Sequence, residues 1–201
     1  MNLPAALDAA LELPIAPSFT RLGFEARRRL FHWTELGSYD LASRVIGVTG
    51  GTSGLGLAAA GQWARCGATV VVVGRNATKT DGVVDEIRRS TGNGSVHAVI
   101  ADMGDLDSVR AAAEQLLEQY PRIDALVHNA GALTAERRSS PQGTEMTVAS
   151  QVVGPFLLTS LLFDRLAGTA VETGRPGRVI TMASGGKVTY KAEDPACPAP
   201  G

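Results

Sequence analysis

The chain has 201 residues and balances 19 Lys and Arg against 20 Asp and Glu, for a formal net charge of −1. That is single-domain length, and a near-neutral balance gives no electrostatic reason to expect nucleic acid as a partner. Two cysteines (Cys66, Cys197) and three scattered histidines (His32, His97, His128) make neither a disulfide framework nor a metal site, and without a ~20-residue apolar run or a signal-peptide core the expected setting is cytoplasmic.

Residues 1–44 read as an N-terminal extension. The first 17 carry Pro4, Pro14 and Pro17 and look like a loosely ordered lead-in. Then "SFTRLGFEARRRLFHW", residues 18–33, spaces Phe19, Leu22, Ala26, Leu30 and Trp33 for one helical face, with Arg21, Arg27, Arg28 and Arg29 mostly elsewhere. The pattern predicts an extra helix packed on the domain. A basic amphipathic helix making peripheral contact with a membrane is the alternative.

From residue 45 two kinds of text alternate. The β-branched runs are "RVIGVTG", "ATVVVVG", "SVHAVIA", "RIDALVHNA" and "GRVITMAS", each nearly continuous in apolar residues, as strands covered on both faces are. Between them lie Ala- and Leu-rich stretches of helical spacing at 55–66, 77–90, 105–119 and 143–167. Five strands alternating with four helices predict an α/β fold, a Rossmann-type doubly wound parallel sheet over residues 45–190. Residues 191–201 form a Pro-rich tail.

The sharpest motif is "VTGGTSGLGLAAA", residues 48–60, between the first strand and the first helix after it. Gly50, Gly54 and Gly56 remove Cβ atoms where a backbone must turn tightly and approach a pyrophosphate. The following helix offers its free N–H groups and positive dipole end to that anion. Thr52 and Ser53 add hydroxyl donors, and Thr49 and Leu55 complete the loop. The spacing, Thr49-Gly50-x-x-x-Gly54-x-Gly56, resembles the T-G-x-x-x-G-x-G cofactor loop of the short-chain dehydrogenase/reductase family. A second family signature, N-N-A-G, is matched by "HNAG", His128 to Gly131, at the end of the fourth strand. The resemblance covers about residues 44–190 and is nearest the retinol-dehydrogenase-like branch. It implies an NAD(P)-dependent oxidoreductase interconverting an alcohol and a carbonyl.

Where the second strand ends, an acid would bind the ribose 2′-hydroxyl of NAD and a cation the 2′-phosphate of NADP. This chain has Arg75 there, followed by Asn76, with no acid until Asp81. A guanidinium matches phosphate geometry by paired hydrogen bonds, so NADP is expected over NAD. The resemblance further implies that Asp102, with Met103 beside it, meets the adenine. Asn129, Ala130 and Gly131 would run beneath the cofactor ribose. His128 receives no role, a lone histidine at a strand end being more often structural.

In the family a tyrosine exchanges a proton with the substrate oxygen, and a lysine four residues on lowers its pKa of about 10. A serine holds that oxygen and an asparagine completes a proton relay. The resemblance puts Ser184 at the serine position and Gln151, one methylene longer, at the asparagine position. Tyr190 follows Ser184 by only six residues, Lys191 is adjacent to it, and Asp194 stands four residues on. The expectation is therefore an oxidoreductase chain truncated before its Tyr-x-x-x-Lys, with an incomplete C-terminal side, an open fifth strand and uncovered apolar surface on the long helix. A small-molecule alcohol or carbonyl is the expected partner, and a homo-oligomer is open. A non-catalytic dinucleotide-binding module or remnant is the competing reading.

Overall fold

The computed structural model describes residues 20–131 and 136–183. After a first helix, α1 (Arg21–Leu30), and a short 3-10 turn at Leu36–Ser38, strands and helices alternate. They run β1 (Val45–Thr49), α2 (Gly54–Arg65), β2 (Thr69–Gly74), α3 (Ala77–Thr91), β3 (Val96–Ile100), α4 (Leu106–Gln119), β4 (Ala125–His128), α5 (Met146–Thr173) and β5 (Arg178–Thr181). The five strands pair in parallel in the order β3-β2-β1-β4-β5. The doubly wound sheet expected from the sequence is present, and its order reverses between β1 and β4.

The unbroken valine run of β2 shows why the strands carry no polar face. Val70 and Val72 point into a layer with Ala60 and Ala64 of α2 and Val83, Val84 and Ile87 of α3. Val71 and Val73 point the opposite way, into a layer with Val109, Ala112 and Leu116 of α4 and Leu158, Leu162 and Leu166 of α5. Both faces of the sheet are dry, so each position of the strand gains from burial, at roughly 1.5–3 kcal/mol per fully buried Val or Leu.

At the far end of the strands from the glycine loop, Asp124 joins the strands to each other. Its carboxylate accepts from the Val45 N–H and from Arg44, both at 2.9 Å, with Arg122 at 3.8 Å. At 4% exposure this acid is buried, and those donors are what make its burial tolerable.

Three features depart from the sequence pattern. α1 does not pack on the sheet domain with an apolar face: Leu22 is 78% and Trp33 46% exposed, and only Gly23 is buried. Nor does Trp33 extend the Leu22 stripe. The helix ends at Leu30 in a Schellman arrangement, with the Trp33 N–H on the Arg28 carbonyl and the His32 N–H on the Arg29 carbonyl. His32 takes the left-handed conformation (φ 48°) that this cap usually gives to glycine. The chain turns back there, and Trp33 meets Phe24 edge to face, 5.6 Å between ring centroids.

The long helix is the third departure. α5 is apolar and long enough to cross a membrane by length and composition alone, contrary to the expectation that no such segment exists. Leu158, Leu162 and Leu166 nonetheless lie buried in the sheet domain, which makes it a core helix. Its other side is bare, with Val152, Phe156, Phe163 and Val171 all more than 60% exposed. β5 is exposed along its whole length and is the edge of the sheet among the described residues. Both exposures match the open surface expected from the sequence.

Candidate cofactor site

The carboxyl ends of β1 and β4, where the strand order reverses, are where an open α/β sheet leaves a crevice for ligands. β1 runs there into residues 50–53 and α2, and β4 into residues 129–131. These two segments are fastened to each other. The Thr49 hydroxyl accepts the backbone N–H groups of Asn129 (3.2 Å) and Ala130 (3.1 Å). The Asn129 side-chain amide donates in return to the carbonyls of Thr49 (3.3 Å) and Gly50 (3.2 Å). The carbonyls of Thr49 and Gly50 are thus consumed inside the protein, which leaves the amide side of the loop for an anion.

Two glycines of the loop are required by space. Gly50 has φ 67°, and a Cβ on it would stand 2.7 Å from the Ala130 Cα. A Cβ on Gly56 would collide with the Gly50 carbonyl and the Asn129 amide. Gly54 differs: its φ of 54° favours glycine, but a Cβ there would meet nothing within 4 Å. Gly74, at the end of β2, makes room in the same way for Thr52 and Thr80. Thr52 therefore lies against the strand end from which Arg75 emerges.

The donor set is that of an anion site. α3, α4 and α5 open on side chains that accept a first-turn N–H: Asn76 from Lys79, Asp105 from Asp107, and Glu145 from Val148. At α2 the Ser53 side chain makes no such bond. Its first-turn N–H groups carry the positive end of the helix dipole toward the crevice with no acceptor among the described residues. A cradle with Cβ atoms removed and donors unspent fits a dinucleotide pyrophosphate.

The remaining expected residues fall around this crevice with different freedoms. Arg75 is exposed and makes no ion pair among the described residues. Asn76 already spends its side-chain oxygen on capping α3, so it offers a ligand only its amide. Asp102 turns one carboxylate oxygen onto the Gly104 N–H at 2.8 Å, while the Ser108 hydroxyl accepts its own N–H at 3.0 Å. Met103 is 6% exposed within the core layer of α4 and α5, so its side chain belongs to the packing. Thr49 is fully buried, and its hydroxyl acts through the Asn129–Ala130 segment. Leu55 is exposed on the first turn of α2.

Gln151 reaches the crevice. Its side-chain oxygen would be 3.7 Å from a Cβ built on Gly131. It sits in a π-helical turn, Ala149–Val153, inserted into α5, and such turns concentrate at functional sites. Just beyond it, Gly154 permits α5 to pass against the Met103 carbonyl. Ser184, Tyr190 and Lys191 lie outside the described residues, so Ser184 and Gln151 are not brought into a described geometry together.

His128, a lone histidine at a strand end in the sequence, lies under the crevice. Its Nε2 lies 2.7 Å from the Thr159 hydroxyl of α5. Burial pushes its pKa below the ordinary 6.5. The sequence held no sign of the Thr159 partnership, which joins residues 31 apart.

Comparison with known proteins adds to this geometry. The family profile described as short chain dehydrogenase matches residues 44–194. Dehydrogenase/reductase SDR family member 13 of Bos taurus is 37% identical over 148 residues, 74% of this chain and 37% of that protein. Retinol dehydrogenase 13 of Homo sapiens is 32% identical over 144 residues, 72% of this chain and 42% of that protein. The structure of a short-chain dehydrogenase homologue from Escherichia coli CFT073, complexed with NADPH, is 31% identical with a TM-score of 0.54, covering 66% of this chain and 56% of that one. The chain thus spans about two-fifths of the length of these two curated relatives.

Proposed function

Since the chain belongs to the short-chain dehydrogenase/reductase family, in its retinol-dehydrogenase-like branch, we propose that residues 1–201 hold NADP(H) for an oxidoreductase that interconverts a small alcohol and its carbonyl. The observation that carries this reading is the uncapped start of α2, beside the Thr49 and Gly50 carbonyls that Asn129 has already taken. Bound there, the cofactor would supply or accept the hydride.

The chain's own residues take the following parts. The N–H groups of residues 54–56 and the hydroxyls of Thr52 and Ser53 hold the pyrophosphate. Asp102 accepts from the adenine amino group, and Asn129, Ala130 and Gly131 support the ribose. Arg75 pairs with a 2′-phosphate, which is the reason for preferring NADP(H) over NAD(H); the NADPH-bound relative is in keeping with that choice. Ser184 holds the substrate oxygen, with Gln151 at the relay position.

Within residues 1–201 no tyrosine is followed four residues later by lysine: Tyr39, Tyr120 and Tyr190 are followed there by Ser43, Asp124 and Asp194. An acid in that place raises a phenol pKa instead of lowering it. The reading therefore assigns cofactor binding to these residues and expects no turnover from them alone. Relatives named as dehydrogenases favour an enzyme over a non-catalytic binding module.

Titrating the 201-residue chain with NADPH and NADH, read by nicotinamide fluorescence, tests the proposal. NADPH is expected to bind about tenfold or more tighter than NADH. Equal affinities would remove the NADP assignment, and absence of binding to either would remove the site.

A further inference from the structure

α1 lies ahead of the family match, which begins at residue 44, so the family profile assigns it no role. Its surface is unusual for a soluble domain. Leu22, Phe24, Phe31, Trp33, Leu36 and Tyr39 are all 40% or more exposed within 18 residues. Two of these, Phe24 and Trp33, hold each other edge to face at 5.6 Å, so they present one aromatic patch instead of two separate side chains.

The charge around that patch has one sign in excess. Arg21, Arg27 and Arg28 stand three or four residues from Phe24 and share its side of the helix. Arg29 follows, and Glu25 is the only acid in α1. Arg28 is partly spent on Glu25 (3.1 Å) and Glu35 (2.7 Å). Arg21 and Arg29 make no ion pair among the described residues. An aromatic patch of about half-exposed rings with a cationic rim, on a helix whose average character is polar, is the makeup of an interfacial helix. Arginine stems lie along the apolar boundary while their heads meet phosphate oxygens.

We propose that residues 21–33 dock the protein onto an anionic lipid surface, with Phe24 and Trp33 entering the headgroup boundary and the arginines meeting lipid phosphates. An anionic membrane matches the sign of the rim and gives the exposed rings an apolar phase. An acidic protein would satisfy the first requirement only, and a second copy of α1 would set cation against cation. The site is separate from the crevice at β1 and β4, and the proposal does not depend on the function assigned there.

The test uses the full 201-residue chain with vesicles of phosphatidylcholine, with and without phosphatidylglycerol. A Trp63→Phe background leaves Trp33 as the sole tryptophan. The expected result is co-sedimentation with the anionic vesicles only, with a blue shift of Trp33 emission. Replacing Arg27, Arg28 and Arg29 together by glutamate should lower the partition coefficient by about tenfold or more. A Phe24→Ser variant should lower it while leaving the urea midpoint unchanged, because that ring is packed on no core layer. Absence of sedimentation, or equal sedimentation with neutral vesicles, would overturn the proposal. So would light scattering that shows Phe24-dependent self-association without lipid, which would make a second copy the occupant.

Discussion

The imidazole Nε2 of His128 lies 2.7 Å from the hydroxyl of Thr159, and that hydroxyl donates its single proton to the Pro155 carbonyl at 2.8 Å. The Thr159 oxygen must then accept, which assigns the neutral tautomer with hydrogen on Nε2. Nδ1 is left as a buried lone pair with no partner among the described residues. Protonating it would place a cation in the layer between β4 and α5. Burial is accordingly the cause of its lowered pKa.

The sign of the pH dependence follows. The folded state binds a proton at His128 less readily than the unfolded chain does. The contribution to stability is full above the unfolded value of 6.5 and is lost as pH falls through the folded pKa. His97, lowered by burial and then by Arg88, acts in the same direction. Asp105 and Glu145 are lowered from 3.8 and 4.5, so their contributions are lost only in stronger acid. Urea midpoints should therefore fall between about pH 7 and pH 5. His128→Asn, which keeps a donor for Thr159, should flatten that fall. An unchanged slope would show that His128 is not the titrating group.

Thr49→Val keeps the shape of a buried side chain and removes the acceptor of two backbone N–H groups. The cost should be about 1–3 kcal/mol in urea unfolding. NADPH affinity should fall with it although Thr49 is fully buried, because the Asn129 segment that shapes the loop would lose its anchor.

Among the loop glycines, position should matter more than identity. Gly56→Ala puts a methyl into the Gly50 carbonyl and should abolish NADPH binding while the far-UV dichroism stays native. Gly54→Ala enters open space and meets only backbone strain, about 1–2 kcal/mol, with weaker loss of binding. Fluorescence titration of the two variants side by side decides it, and equal losses would count against the close approach of Gly56 to Gly50.

Arg75→Ala should reduce affinity for NADPH by about tenfold or more and leave NADH affinity nearly unchanged. Loss of both cofactors in parallel would mean that this arginine does not read the 2′-phosphate.

Asp124→Ala strands the Arg44 guanidinium and the Val45 N–H at the base of the sheet. Removing one partner of a buried pair costs about 3 kcal/mol, readable as a lower urea midpoint. The carboxylate lies at the opposite end of β4 from the crevice. Affinity for NADPH measured well below the transition should therefore be unchanged.

Sheet and crevice were both legible because they rest on short-range text. β-branched runs gave the strands, and glycines between a strand and a helix gave the loop. The contacts that fasten the loop were not legible, since Asn129 and Thr49 are 80 residues apart and either could have served the ligand directly. The packing of the Met103 side chain was not legible for a related reason: strand-end residues look alike in sequence, and only the fold shows that this one faces inward. Trp33 matched the apolar stripe of α1 in spacing, but the left-handed turn at His32 carries it to Phe24. Histidine gives no warning of such a turn as glycine would.

The bonds from Asn129 to the carbonyls of Thr49 and Gly50 are made by the protein to itself, and this has a consequence for time as well as affinity. A loop that is already shaped does not have to fold around its cofactor, so association should follow a single exponential whose rate rises linearly with cofactor concentration. In Asn129→Ala the loop must find its shape during binding, and the rate should level off at high concentration as that rearrangement becomes limiting. Stopped-flow mixing would separate the two: the same residue that looks like a static brace would then be setting the tempo of capture.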